Sequence, residues 1–163
     1  MTRATWARTQ KELEELEREL RTVIPATIRK ARELGDLKEN AEYHSAKLKQ
    51  ANVSRRAGAM QLKLARARFV DDIEFQDGVV GLGAYIALEG SQGKRTVWIL
   101  GEGEQHHGDE VVSFQSAVGR ALMTHKVGDE VEFGEGDQRA RWRIRSVERR
   151  LPEVEDTEAA SNG

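Results

Sequence analysis

The stretch KARELGDLKENAEYHSAKLKQ, residues 30–50, decides the fold of the N-terminal half of this chain. Residues that favour helices run on both sides of the pair Gly35-Asp36, so one long helix should end there and another begin. Gly35 suits the left-handed residue that often follows a helix, and Asp36 with Glu39 three residues later fits a capping box for the next helix. We therefore predict a tight turn at residues 34–37 between two antiparallel helices.

Hydrophobic periodicity extends both helices well beyond this turn. Apolar and small residues recur at alternating spacings of three and four, the heptad pattern of helices that pack along a seam. The seam of the second helix consists of Tyr43, Ala46, Gln50, Val53, Ala57, Met60, Leu64 and Ala67. That of the first consists of Trp6, Leu13, Leu16, Leu20 and Val23, and then, shifted by one residue, of Ile24, Ile28, Ala31 and Leu34. Proline disrupts a helical turn, so a kink is predicted between Arg21 and Pro25.

The second half of the chain changes to the period of two that strands show. Five short segments alternate apolar and polar residues, at 78–90, 94–102, 110–114, 129–135 and 140–148, and residues 115–126 predict one short helix. The fold class is therefore α+β, with an antiparallel α-helical coiled-coil hairpin followed by a small β-sheet domain. We assign the hairpin to residues 1–75 with an acidic tip at 35–43, the sheet domain to 76–151, and a disordered acidic tail to 152–163.

Charge is divided unevenly along the chain. Residues 1–70 carry 16 Lys and Arg against 9 Asp and Glu, a net charge of +7, whereas residues 71–163 carry 10 against 19, a net charge of -9. A basic half favours a partner that carries phosphates, although a solvated helical surface explains the charge equally well. The chain has no cysteine, which excludes disulfides and thiolate metal sites, and no signal-type or membrane-length apolar run, so a cytoplasmic protein without a membrane segment is expected.

The sequence gives little sign of a catalytic or metal site that this chain could form by itself. His106 and His107 have no third histidine at a suitable spacing, which favours a surface loop over a zinc site. No glycine-rich phosphate loop precedes a helix. Six aromatic residues are expected to fill the core between sheet and helix: Phe75, Tyr85, Trp98, Phe114, Phe133 and Trp142. The pattern does not indicate an enzyme.

Two motifs carry a resemblance to a known family. The core G-D-L-x-E-N-A-E-Y-H-x-A-K within residues 31–50 resembles the coiled-coil tip of the bacterial Gre transcript cleavage factors, closest to the GreA type. VVSFQSAVGRALMTHKVGDEVEF, residues 111–133, resembles their C-terminal signature, although Ala117 stands where the family usually has proline. The resemblance implies an FKBP-like sheet domain without isomerase activity, and a role at bacterial RNA polymerase.

The resemblance also implies roles for individual residues. The hairpin of this family enters the secondary channel of RNA polymerase, where Asp36 and Glu39 would help to hold the second catalytic Mg²⁺, an ion shared with the polymerase rather than a cofactor of this chain. Supporting residues at the tip would be Gly35, Asn40, Glu42 and Tyr43. Basic residues expected to face the nascent RNA are Arg29, Lys30, Arg32, Lys47, Lys49, Arg55 and Arg56, and those expected to dock on the polymerase are Ser116, Ala117 and Arg120.

Several alternatives stay open at this level. On the residues alone, helix capping explains Asp36 and Glu39 as well as metal binding does. Packing and function explain Tyr43 equally well, and Glu42 could support the metal ligands or only interact with the helix dipole. A monomeric transcript cleavage factor that meets the nascent RNA 3′ end inside the polymerase is the favoured function. The alternatives are a Gre-like regulator that occupies the channel without supporting cleavage, and a prolyl isomerase or chaperone.

Overall fold

The computed structural model describes residues 1–155, which form two compact units. The hairpin unit is Trp6–Ala67, and the sheet unit combines Met1–Thr5 with the chain from Arg68 onwards. The first five residues and residues 68–75 thus lie with the sheet, whereas the sequence pattern had placed them with the hairpin. Of the predicted tail at 152–163, residues 156–163 lie outside the described residues.

The hairpin unit is built from two long helical arms. The first arm contains α1 (Arg3–Arg18), a π-helical segment (Glu19–Val23) and α2 (Ile24–Arg32), and the second arm is α3 (Ala41–Ala65). Ile24 and Ile28 of α2 are buried against Ala46 of α3, and Leu20, Tyr43 and Val53 pack around them. The predicted antiparallel helical hairpin is confirmed.

The π-helical segment lies where the sequence predicted a kink. The N–H of Ile24 donates to the carbonyl of Glu19, five residues earlier, so this turn contains one residue more than an α-helical turn. The extra residue turns Val23 out and brings Ile24 onto the buried face, which accounts for the one-residue shift in the sequence pattern. Val23, predicted on the seam, is instead 52% exposed, and Leu34 is 65% exposed because it lies beyond the end of α2.

The sheet unit contains the five predicted strands and the predicted short helix. The strands are β1 (Ala84–Gly90), β2 (Gly93–Leu100), β3 (Val111–Ser113), β4 (Glu130–Phe133) and β5 (Ala140–Arg149), and α4 (Ala117–Leu122) connects β3 to β4. Their order is β3-β2-β1-β5-β4, and all neighbours are antiparallel except β2 and β3, which are parallel. Within residues 1–155, no helix has both the length and the apolar character needed to cross a membrane.

Both faces of the sheet carry apolar clusters. Ile86, Val97 and Ile99 contribute to the larger cluster, in which Leu122 of α4 is also fully buried. Tyr85 and Trp98 pair across β1 and β2 and belong to a second cluster on the opposite face, because successive strand residues point to opposite sides. The prediction of one core with six aromatic residues is therefore wrong for these two.

Long-range hydrogen bonds attach the first five residues to the sheet unit. The N–H of Val70 donates to the carbonyl of Met1 at 3.0 Å, and the N–H of Arg3 donates to a carboxylate oxygen of Asp71 at 2.9 Å. The buried carboxylate of Glu104 accepts from the N–H and hydroxyl of Thr2 and from the hydroxyl of Thr5. Burial alone would raise the pKa of Glu104, but these hydrogen bonds outweigh it and lower that pKa, so the carboxylate is ionised.

Candidate functional site at the hairpin tip

The two arms are joined by a connection that we call the tip turn, residues 33–40. α2 ends at Arg32 and α3 begins only at Ala41, so the connection is longer than the predicted residues 34–37. Gly35 has a φ of +119°, which a side chain would strain, and this agrees with the predicted left-handed exit from the first arm. The residues of the tip turn therefore lie outside both helices and do not have helical backbone geometry throughout.

Asn40 closes the tip turn by bonding to both arms. Its side-chain oxygen accepts from the N–H of Tyr43 at 3.0 Å and so caps α3, while its amide donates to the carbonyl of Ala31 at 2.5 Å. A carboxylate could accept the first bond but could not donate the second. Of the two interpretations left open for Asp36 and Glu39, capping of the second helix is therefore wrong, because Asn40 takes the N-cap position.

Asp36 and Glu39 are both exposed in the tip turn. One oxygen of Asp36 accepts from the N–H of Lys38 at 2.9 Å, a local bond that shapes the turn. Within residues 1–155, no hydrogen bond or ion pair involves the side chain of Glu39. Neither carboxylate is required to begin the helix, so both face solvent with acceptor oxygens available to a partner.

Tyr43 and Glu42 occupy the first turn of α3. Tyr43 is partly buried against the cluster around Ile24, and the guanidinium carbon of Arg32 lies 5.7 Å from the centre of its ring. Packing therefore accounts for Tyr43 at least in part. Glu42 is exposed, where its charge interacts favourably with the N-terminal end of the helix dipole.

The predicted RNA-facing basic residues are all exposed, but they differ in their partners. Lys49 pairs with Glu19 at 2.6 Å and Arg56 pairs with Glu12, so these two cations connect the second arm to the first. Arg55 bonds only weakly within its own helix, to the side chain of Asn52 at 3.4 Å. The remaining members of the set are Arg29, Lys30, Arg32 and Lys47.

The predicted docking residues lie at the start of α4. The hydroxyl of Ser116 accepts from the N–H of Gly119 at 3.0 Å and donates to the carbonyl of Ser113 at 2.7 Å, so Ser116 caps the helix. A Cβ on Gly119 would lie 2.2 Å from that same carbonyl oxygen, so only glycine allows this approach. Ala117 and Arg120 are exposed on the helix and can reach a partner.

The chemistry of the tip suits a hard divalent cation that receives its other ligands from elsewhere. Mg²⁺ prefers oxygen ligands and keeps several waters, so one or two protein carboxylates suffice. Asp36 and Glu39 offer such oxygens in an exposed turn, where the remaining ligands would come from water or from a partner. The tip can therefore contribute to a metal site in a larger assembly.

Comparison with known proteins gives consistent relatives for both units. A model of the N-terminal domain of transcription elongation factors matches residues 1–69, and a model of the GreA/GreB C-terminal domain matches residues 75–149. Transcription elongation factor GreA of Nautilia profundicola is 39% identical over 134 residues, which cover 81% of this chain and 83% of that protein. GreA of Neorickettsia sennetsu is 34% identical over 150 residues, covering 91% and 94%.

Two solved structures align at lower sequence identity. GreA factor homolog 1 (Gfh1) of Thermus thermophilus aligns with a TM-score of 0.40 at 23% identity, over 91% of this chain and 97% of that one. A GreA/GreB factor of Nitrosomonas europaea also has a TM-score of 0.40, over 56% and 78%. The relationship to these elongation factors is therefore shown by sequence, in matches that cover both units.

Proposed function

Because the chain belongs to the GreA/GreB family of transcription elongation factors, we propose that it binds bacterial RNA polymerase and stimulates cleavage of backtracked nascent RNA. The hairpin enters the secondary channel, and the sheet unit docks on the polymerase surface through the exposed residues of α4. The chain acts in the cytoplasm as a monomeric accessory factor and has no nuclease activity of its own.

One observation supports this function above the others. Asn40 caps α3, so Asp36 and Glu39 are exposed at the tip without a role in starting the helix. Two exposed carboxylates in a turn held by Gly35 and Asn40 are well placed to complete a metal site that another protein provides. A domain that only occupied a channel would have no need of them.

In this mechanism the chain positions ligands and neutralises charge. Asp36 and Glu39 would hold Mg²⁺ together with the polymerase, and the bound ion would activate water for attack on the RNA backbone. Asn40 and Gly35 fix the backbone of the turn, so the positions from which the two carboxylates extend are set before binding. Arg55 and the basic residues near the tip offset the phosphate charge of the displaced RNA, while Lys49 and Arg56 hold the arms together.

A stalled elongation complex with end-labelled RNA tests this proposal. Adding the full chain and Mg²⁺ should produce shortened RNA, whereas the chain should leave free RNA intact. Slower transcription without shortened RNA would instead identify a regulator that occupies the channel. Acceleration of peptide-bond isomerisation in a proline-containing peptide would indicate the isomerase alternative.

A further inference from the structure

Three potential metal ligands converge in the loop that follows β2. The side-chain oxygen of Glu104 and the Nε2 atoms of His106 and His107 come from a single 3₁₀ turn and its preceding residue. Their ligating atoms all lie within 4.8 Å of one another, and His107 Nε2 is 3.1 Å from Glu104 Oε2. The spacing of histidines in the sequence does not reveal this group, because its third member is a carboxylate.

The hydroxyl of Thr5 lies at the centre of the three atoms. Its oxygen is 2.5 Å from Glu104 Oε2, 3.2 Å from His106 Nε2 and 3.0 Å from His107 Nε2. A hydroxyl has one hydrogen, and the short contact assigns it to the carboxylate. The three potential ligands therefore surround the Thr5 oxygen, and an ion bound between them would take the space that this hydroxyl fills once the Thr5 side chain rotates away.

The orientation of His106 is that of a metal ligand. Its Nδ1 lies 3.2 Å from the carbonyl oxygen of Gly103, which can only accept, so we assign the ring hydrogen of the neutral imidazole to Nδ1. Nε2 then carries the lone pair, 3.2 Å from a Thr5 oxygen whose own hydrogen is bonded to Glu104, and a metal ion would replace this contact between two acceptors. Metal-binding histidines commonly donate their other ring N–H to a backbone carbonyl in this way.

Glu104 is held as a ligand by its own hydrogen-bond partners. The carboxylate is 0% exposed and receives the N–H of Thr2 at 2.8 Å and its hydroxyl at 2.9 Å. His106 is exposed, which gives an ion a route to the group. Residues 102–110 contain four acidic residues and no Lys or Arg, so the local potential favours cations.

We propose that Glu104, His106 and His107 form a binding site for a divalent transition metal ion of the zinc class. Two imidazole nitrogens and one carboxylate oxygen are ligands that Zn²⁺ accepts, with water in the fourth position, whereas Mg²⁺ and Ca²⁺ prefer oxygen ligands throughout. The ion stabilises the sheet unit by mass action to the extent that the folded chain, which holds the three ligands in one geometry, binds it more tightly than the unfolded chain does. The site is separate in residues and in metal class from the tip carboxylates.

Metal titration of the full chain tests the site. After treatment with EDTA and its removal, Zn²⁺ titrated in competition with a chromophoric chelator should bind with a stoichiometry of one, and Co²⁺ should give the intense visible absorption of tetrahedral coordination. His106→Asn and His107→Asn should each weaken Zn²⁺ binding by at least about 10- to 100-fold. Loss of a residue that only hydrogen-bonds to a metal ligand already costs that much affinity, and these variants remove a ligand itself. Zn²⁺ should raise the melting temperature of the unaltered chain but not that of His106→Asn.

His125→Asn is the matched control, because His125 lies in the same unit but outside this group. Its binding of Zn²⁺ should equal that of the unaltered chain. Unchanged binding in a His106→Asn, His107→Asn double variant, or no stoichiometric binding at all, would overturn the site. Circular dichroism in EDTA checks that each variant is folded, and the exposed position of His106 makes its substitution the milder of the two. Transcript cleavage by both variants should equal that of the unaltered chain, so the outcome is independent of the proposed function.

Discussion

At the scale of single residues, Asn40 determines what the neighbouring acids are free to do. Its two side-chain bonds, to Tyr43 and Ala31, hold the tip turn against both arms. The charge of Asp36 and Glu39 is then separated from the stability of α3. Stability and metal chemistry can consequently be altered by different substitutions.

Asp36→Asn and Glu39→Gln should leave the fold intact and abolish most cleavage stimulation. Asparagine can still accept the hydrogen bond from Lys38 N–H, and Glu39 has no bond to lose within residues 1–155. Neutral amides are poorer ligands for Mg²⁺ than carboxylates. Thermal melting and the cleavage rate as a function of Mg²⁺ concentration provide the two measurements. Full cleavage by a folded double variant would remove the tip carboxylates from the mechanism.

Asn40→Ala should destabilise the hairpin by about 1 kcal/mol through loss of the N-cap, with a further loss from the carbonyl of Ala31. Asn40→Ser is the control, because serine keeps the capping acceptor but cannot reproduce the amide bond. We expect a smaller loss for Ser than for Ala in urea unfolding. Equal free energies of unfolding for all three chains would show that Asn40 does not hold the turn.

At the scale of elements, the two helical arms are joined by charge as well as by packing. The buried contacts lie around Ile24, Ile28 and Ala46, whereas Glu12–Arg56 and Glu19–Lys49 connect the arms at exposed positions. Exposed ion pairs contribute at most about 1 kcal/mol each. These pairs therefore add little to the stability that the buried contacts provide.

Exchanging the charges of Glu12 and Arg56 tests whether Arg56 acts through its ion pair with the first arm or through direct contact with RNA. Arg56→Glu alone should weaken the hairpin by less than about 1 kcal/mol, and adding Glu12→Arg should restore stability by reforming the pair in the opposite sense. We expect cleavage to return with stability in the double variant, while Arg55→Glu reduces cleavage without a matching change in unfolding. If the double variant is stable but still deficient in cleavage, Arg56 itself acts on the RNA.

Local patterns made most of the element structure predictable. The spacing of apolar residues predicts the two arms, the position of their turn and the one-residue shift before Pro25. The alternation of apolar and polar residues predicts the five strands. The capping residue could not be predicted in this way. Asp36 and Asn40 are both suitable N-caps, and the choice depends on a bond from Asn40 to Ala31 of the other arm.

At the scale of the whole molecule, the beginning of the chain is part of the sheet unit. Thr2 and Glu104 are hydrogen-bonded although 102 positions apart, and periodicity within α1 contains no trace of that contact. A domain boundary at residue 75 therefore divides the sheet unit, which contains residues 1–5 as well as the chain from residue 68 onwards. Removing Met1–Thr5 would leave a buried carboxylate without its hydroxyl and backbone donors, which is costly.

Deleting the hairpin while keeping residues 1–5 should preserve polymerase binding. We expect a chain in which about six Gly and Ser residues connect Thr5 to Arg68 to fold, to compete with the full protein for polymerase, and to stimulate no cleavage. Competition is measured as inhibition of cleavage by the full chain at increasing concentrations of the deletion variant.

The fragment 76–163 provides the comparison for that deletion. It lacks Thr2 and Thr5, so it should melt at a lower temperature than the linked variant in the presence of EDTA. Equal melting temperatures would show that the first five residues are dispensable for the sheet unit. Tight polymerase binding by residues 6–67 alone would contradict the assignment of docking to α4.

The exposed tip carboxylates also have a consequence for how such proteins can diverge. Most substitutions are eliminated when they bring a protein below the stability that it needs. Substitutions of Asp36 and Glu39 are not subject to this selection on stability, because Asn40 and Gly35 hold the turn without them. After gene duplication, one copy could lose its acids by single substitutions while keeping its surface for the same host. An activator and a competitor could thus arise from one ancestor without an unstable intermediate.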